Sequence, residues 1–454
     1  MATAAVILAA GQGTRMKSAR PKVMHAVAGL PILGHVVAAI RAAGVSRIVV
    51  VSAPSMEEMR GYVTSLGAEN AVQDKPLGTG HAALAARALL GAFDGALLIN
   101  NGDMPLAQSP MMAQSLASAQ ASGFSLVAFR PADPAAYGRV LRNADGTLDR
   151  IVEYKDATPE QRAIDLCCAG TYSAASARRF FEWAARLKND NAQREYYLPE
   201  VPLIAKEDGV ACAITVADEI DVMGVNSRAE LADAEGQMQK RLRKRALDAG
   251  VGMTAPDTVF LSYDTVLEPD VHVGPYVVFG TGVTVKSGAE IKSHCHLEGS
   301  AKDGPVLVGS GALVGPYARL RGGAVLEDDV HIGNFVEVKK THIEKGAKAN
   351  HLTYLGDARV GAGANIGAGT ITCNYDGFDK HHTDIGAGAF IGSNSALVAP
   401  VTVADGAYVG AGSVITKAVA KDSLAVTRAE QKEIPGWAEK FRTRKKAEKA
   451  APKK

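Results

Sequence analysis

Apolar residues stand six apart through the second half of the chain. Ile385, Ile391, Leu397, Val403, Val409 and Ile415 mark the beat most clearly. Earlier stretches keep it: Val271, Val277 and Val283; Leu307 and Leu313; Val330 and Val336; Ile343, Ala349 and Leu355; Val360 and Ile366. A helix would scatter side chains six apart over different faces, and a plain strand would alternate by two. Sustained hexads with small residues between the aliphatics predict coils of a parallel β-helix, with one aliphatic pointing inward per flat side. The coils run from about Val259 to about Ile415. Breaks at residues 300–305 and 373–382 read as loops thrown out from the coils.

The first half has a different pattern. Residues 4–10, 47–52, 96–100 and 125–130 are apolar or β-branched runs of strand length. Residues 32–43 and 79–90 have helical spacing. Alternation of strands and helices predicts an α/β domain with a mainly parallel sheet. Ligands of such sheets sit at the carboxyl ends of strands. The polar residues after Ala10 and after Asn100 are therefore the places to look. Residues 227–247 are rich in Ala, Leu, Glu, Lys and Arg, which predicts a long helix joining the halves.

Composition narrows the class. A chain of 454 residues with 47% apolar content can hold two cored domains. A net charge of +2 gives no general pull toward nucleic acid or an anionic surface. The basic run from Arg442 reads as a solvated tail. Five cysteines (Cys167, Cys168, Cys212, Cys295 and Cys373) show neither a disulfide framework nor metal spacing, which fits reduced thiols in a cytoplasmic protein. No apolar segment reaches the ~18 residues of a membrane span.

Candidate chemistry begins at Leu8-Ala9-Ala10-Gly11-Gln12-Gly13-Thr14-Arg15, a glycine turn after a strand. Backbone N–H groups of such a turn can approach an anion, and Arg15 adds a cation. Lys22 places a second cation nearby. The third glycine of a dinucleotide fingerprint and the Gly-Lys-Ser/Thr of a P-loop are both missing.

The string LAAGQGTRMKSARPKVMH resembles the signature of the sugar-nucleotide pyrophosphorylases. Gln73, Gly78-Thr79-Gly80-His81-Ala82 and Asn101-Gly102-Asp103-Met104-Pro105 are similar to further motifs of that family, in order. With the hexads, the whole chain resembles the bifunctional enzymes that join an N-acetylglucosamine-1-phosphate uridylyltransferase to a glucosamine-1-phosphate N-acetyltransferase. The resemblance implies an α/β nucleotidyltransferase domain with a Rossmann-like sheet at 1–226 and a linker helix at 227–250. It implies a left-handed parallel β-helix with a basic tail at 251–454. It also implies a homotrimer with acetyltransferase sites between subunits, and a product, UDP-N-acetylglucosamine, that feeds cell-wall and outer-membrane sugars.

Site residues follow from the same resemblance. Leu8, Ala9, Ala10 and Gly11 should line the UTP site with Asn101 and Gly102. Arg15 should hold the departing pyrophosphate, and Lys22 should face the reacting phosphates. Gln73, Gly78 and Thr79 should read uracil. Gly138, Glu153 and Cys168 should hold the amino sugar. Asp103 and Asn226 should hold Mg²⁺, which takes hard oxygen ligands. Taken by itself, Asn226 could equally cap the linker helix.

In the acetyltransferase half, His351 is the candidate base and Glu337 its candidate orienting group. Arg321, Lys339 and Lys380 should meet the phosphate of glucosamine-1-phosphate, with Tyr354 and Asn365 on the sugar. Ala368, Asn374, Tyr375, Ser393, Ala411 and Arg428 should bind acetyl-CoA. Cys168 stands where the family usually has Asn, and Asn101 where Tyr is common. The competing reading is a monofunctional nucleotidyltransferase whose β-helix only oligomerises.

Overall fold

The computed structural model describes residues 2–134, 137–191 and 193–450. The last four residues of the expected basic tail lie outside these. Contacts divide the chain into two compact units: Met1–Arg245 with Leu261–Tyr263, and Ala246–Phe260 with Asp264–Lys454.

The first unit is built on a mainly parallel sheet. Its centre is Thr3–Leu8, flanked in parallel by Arg47–Ser52 and Ala96–Asn101. Gly123–Phe129 and Ala211–Ala217 pair in parallel further out, with Cys167–Ala174 inserted antiparallel between Gly123–Phe129 and Ala96–Asn101. Central strands of such a sheet are buried on both faces, which explains their unbroken apolar runs. Ala4, Ala5, Val6 and Ile7 are all fully buried, as are Val49, Val50 and Val51. Two apolar layers cover the faces. One is centred on Phe124, Tyr172, Phe180 and Trp183, the other on Leu33, Val36, Ile40 and Met59.

The segment 79–90, expected as one helix, is two: Thr79–Ala85 and Arg87–Leu90. The long helix is Arg228–Asp248. Most of it belongs by contact to the first unit, held through Gln239, whose amide donates to the Leu261 carbonyl at 2.7 Å.

The second unit is a hexapeptide β-helix. Its short strands pair only in parallel, each with the strand one coil on. His272 pairs with Glu290 and Leu313 with His331, eighteen residues on, which is three hexads per coil. The buried positions come in pairs two residues apart, such as Val271 with Val273 and Val283 with Val285. The expectation of one inward residue per side is therefore corrected to two. A strand places residues i and i+2 on one face, so both fill the core. The expected phase is also corrected at Leu307 and Leu313. These are only partly buried, and Val306, Val308, Ala312 and Val314 point inward instead. The loop at 300–305 shifts the count. From Ile385 to Ile415 the hexad aliphatics are all buried.

The tail is a helix, Trp437–Ala450, with no buried residue. No described helix is long and apolar enough to cross a membrane.

Candidate active sites

In the first unit, Leu8 is the register partner of both Val51 and Asn101, so three parallel strands end side by side. Past these ends the chain turns away and leaves two adjoining cavities of about 390 and 360 Å³. Leu8, Ala9, Ala10, Gly11, Lys22, Gln73 and Gly78 line the larger. Gly138, Glu153, Cys168 and Asn226 line the smaller. Thr79, Asn101 and Asp103 belong to both. Gly102 backs the junction, its N–H donating to the Leu8 carbonyl at 2.9 Å. Arg15 lies exposed on the short helix Thr14–Met16 and lines neither cavity.

Two glycines make this geometry possible. Gly13 has φ +60°, and a Cβ there would stand 2.7 Å from the Cβ of Lys22. Gly78 has φ +103°, and a Cβ would stand 2.7 Å from the Tyr196 carbonyl oxygen. Positive φ and close approach both select glycine. Gln73, buried beside this turn, donates to the Gly78 carbonyl at 3.1 Å.

At the junction of the cavities, Lys22 Nζ lies 2.5 Å from Asp103 Oδ2 and 2.8 Å from Asn226 Oδ1. Asn226 is free to do this because it is not the helix cap. Ser227 is the cap. Its hydroxyl accepts from Glu230 N, and Glu230 reaches back to the N–H groups of Ser227 and Asn226. Asp103 and Asn226 thus aim two hard oxygens at one cation, and this donor set fits Mg²⁺.

In the smaller cavity, burial, with the nearby Asp156 charge, raises the Glu153 pKa above the usual carboxylate range. Burial also pushes the Cys168 thiol up to about 11. Its sulfur lies 3.1 Å from the Tyr172 hydroxyl and accepts from the Gly170 N–H at 3.4 Å. Tyr137, Gln193, Glu195, Tyr197 and Leu198 also line this cavity and were not foreseen. No local motif marks them. The segment at 195–198 arrives by packing, with the Tyr196 carbonyl accepting from Gly80 and the Leu198 N–H donating to Thr79.

In the second unit the predicted residues gather along neighbouring coils. Glu337 is registered between Arg319 and Tyr354, and it pairs with Arg321 at 2.8 Å. Lys339 lies 3.4 Å from Asp303, which stands on the 300–305 loop. The loop after Cys373 folds back on itself, bridged between Tyr375 and Lys380. This sets Lys380 Nζ 5.1 Å from the Tyr375 ring centroid and 4.0 Å from Asp357, which also accepts from Asn374. Asn365 is registered one coil after Lys348. Ala368, Ser393 and Ala411 follow one another up a corner, through Asn394 N–H to Ala368 O and Gly412 N–H to Ser393 O. Arg428 donates to the Ala411 carbonyl at 2.6 Å.

Glu337, expected to orient His351, is not the hydrogen-bond partner that the structure gives this imidazole. Its Nδ1 lies 2.8 Å from Asn334 Oδ1, whereas Glu337 is occupied by arginines. A sequence signal for this region does exist. The inward aliphatics slip from six to five apart between Val338 and Ile343 and between Leu355 and Val360. These shortened turns lie in the strands Glu337–Ile343 and Tyr354–Val360, which carry Glu337, Lys339 and Tyr354.

Known proteins bear on both units. The family of MobA-like NTP transferase domains matches residues 5–197, and the bacterial transferase hexapeptide family matches residues 382–417. The chain is 50% identical to the Bifunctional protein GlmU of Paramagnetospirillum magneticum, covering 98% of both chains. It is 49% identical to that of Sphingopyxis alaskensis, covering 99% of both. It is 51% identical to that of Acidiphilium cryptum, covering 98% of this chain and 99% of the relative. With identity near one half from end to end, the chain belongs to the bifunctional GlmU family.

Proposed function

We propose that the two half-reactions divide along the chain, 1–226 for uridylyl transfer and 251–454 for acetyl transfer, with 227–250 as the connecting helix. The chain is a bifunctional enzyme of UDP-N-acetylglucosamine synthesis, using acetyl-CoA and UTP. The amine of glucosamine-1-phosphate attacks the thioester carbonyl, the C–S bond breaks and coenzyme A leaves as the thiol. The product's phosphate then attacks the α-phosphorus of UTP, and pyrophosphate leaves.

The observation that carries the acetyltransferase assignment is the His351–Asn334 contact on adjacent coils, in the same unit that carries Arg321, Lys339 and Lys380. With Nδ1–H donating to Asn334, Nε2 keeps its lone pair for the proton released by the amine. Glu337 acts as a positioning residue for Arg321, which meets the sugar phosphate with Lys339 and Lys380. Tyr354 and Asn365 hold the sugar. Ala368, Asn374, Tyr375, Ser393, Ala411 and Arg428 receive acetyl-CoA. The site is open in one chain: His351, Tyr375 and Phe378 are exposed. That exposure supports completion by neighbouring subunits, in a homotrimer.

For uridylyl transfer, positioning and charge neutralisation suffice, because no covalent enzyme intermediate is needed. Arg15 and Lys22 neutralise phosphate oxygens. The Leu8–Gly11 turn, Gln73, Gly78 and Thr79 take the nucleotide. Asn101, Gly102, Gly138, Glu153 and Cys168 surround the sugar. Asp103 and Asn226 would hold Mg²⁺, which when bound would supply neutralisation of phosphate charge. The cytoplasm, where UTP and acetyl-CoA are made, is the matching compartment, and the five free cysteines agree with it.

The test is one incubation of the full chain with glucosamine-1-phosphate, acetyl-CoA, UTP and Mg²⁺. Free thiol and pyrophosphate should appear in equal amounts. Pyrophosphate from added N-acetylglucosamine-1-phosphate with no thiol release would return the chain to the monofunctional reading. Light scattering at the mass of three chains checks the trimer, and a monomer with full acetyltransferase activity would overturn it.

A further inference from the structure

Lys22 stands where a metal ion would stand. Its ammonium is 2.5 Å from Asp103 Oδ2 and 2.8 Å from Asn226 Oδ1, with side-chain exposures of only 12% for Lys22 and 19% for Asp103. The main chain that carries each oxygen is pinned by hydrogen bonds. The Asp103 carbonyl accepts from Val225 N–H, and the Asn226 N–H donates to Glu230. The movable partner is the lysine, on its flexible four-carbon stem. Mg²⁺ sits about 2.0–2.1 Å from its oxygen ligands. An ion bound to both oxygens would overlap the ammonium.

We propose that Lys22 is a resident cation that closes the Asp103–Asn226 metal site until a polyphosphate draws the ammonium away. This rests on the reading that Asp103 and Asn226 hold the divalent ion. Lys22 lines the same cavity as the Gly11-Gln12 turn, so a triphosphate lying against that turn competes with Asp103 for the ammonium. Once the lysine leaves, Asp103 is a mostly buried carboxylate without a partner. An unpaired buried charge is costly, and a divalent ion removes that cost. Nucleotide and metal therefore favour each other's binding, and the coupling must be reciprocal. The protein without nucleotide holds metal weakly.

The experiment needs no turnover. Mn²⁺ alone is titrated into the full-length protein, and the free ion is read by electron paramagnetic resonance. Lys22→Met should bind Mn²⁺ at least about tenfold more tightly than wild type, within the usual span of coupling between sites. Arg15→Met, which removes an equal charge from the preceding short helix, should change affinity less than threefold. The double variant Lys22→Met/Asp103→Asn should lose the gain. A circular-dichroism spectrum and thermal unfolding transition matching wild type check that each variant is folded. Unchanged or weaker Mn²⁺ binding by Lys22→Met overturns the proposal. So does an equal gain from Arg15→Met, which would mean that net charge alone acts. If Lys22→Met binds tightly with or without Asp103, the metal assignment itself fails, and this proposal with it.

Discussion

His351 and Asn334 are register partners on adjacent coils, and the imidazole Nδ1 lies 2.8 Å from the Asn334 amide oxygen. The contact couples a backbone fact to a chemical one. Parallel stacking of coils sets the two side chains one above the other. The hydrogen bond then selects the tautomer whose Nε2 can accept a proton.

Removing the base should separate the two activities. His351→Ala should lower acetyl transfer about 10²-fold or more, the scale of a lost general base. Uridylyl transfer should stay near wild type. Asp103→Ala should do the reverse. Assays of coenzyme A and pyrophosphate release on each variant check this. Loss of both activities in either folded variant would sink the two-site assignment.

The Asn334 contact should appear in a pH profile. Asn334→Asp places a carboxylate beside the imidazole, stabilises its protonated form and raises its pKa. The base is then deprotonated only at higher pH. The acid limb of kcat/KM for acetyl transfer should move upward, while that for uridylyl transfer stays fixed. An unmoved limb would mean that His351 is not the group titrating in catalysis.

Cys168 should behave as a neutral, weakly bonding wall. Its thiol is pushed up to about 11, so through pH 9 it stays protonated and iodoacetamide should react slowly. Cys168→Asn adds a group that both donates and accepts, worth about 1 kcal/mol for a neutral hydrogen bond. KM for N-acetylglucosamine-1-phosphate should hold or fall, with acetyl transfer unaffected. A large loss of uridylyl transfer in the stable variant would show that the pocket is built around the Cys168–Tyr172 pair.

The β-helix core should be sensitive to one deletion. Leu355 is fully buried and registered against Val338 of the preceding coil. Leu355→Ala should cost about 2–5 kcal/mol. Each coil rests only on its neighbours, so thermal unfolding of the second unit should move down as a block. A loss under about 1 kcal/mol would mean the coils close over the gap.

Much of this chain was legible without coordinates. A period of six cannot satisfy a helix or a flat strand, so the hexads from Ile385 to Ile415 determined the β-helix by themselves. Apolar runs broken by glycine turns likewise determined the parallel sheet and put candidate ligands at Leu8 and Asn101. The tertiary structure decided what depends on distance between remote residues. Leu307 and Leu313 turned outward because a loop shifts the coil count, which a local period does not reveal. Asn226 became a partner of Lys22 because Ser227 took the cap, a choice made by hydrogen-bond geometry between adjacent candidates. Glu337 yielded His351 to Asn334 because register stacks residue 334 under 351 and leaves 337 among arginines. Tyr137, Glu195 and Tyr197 joined the smaller cavity only through packing. A side chain's chemistry is written in its own residue type, but its partner is set by the fold that brings distant segments within a few ångströms.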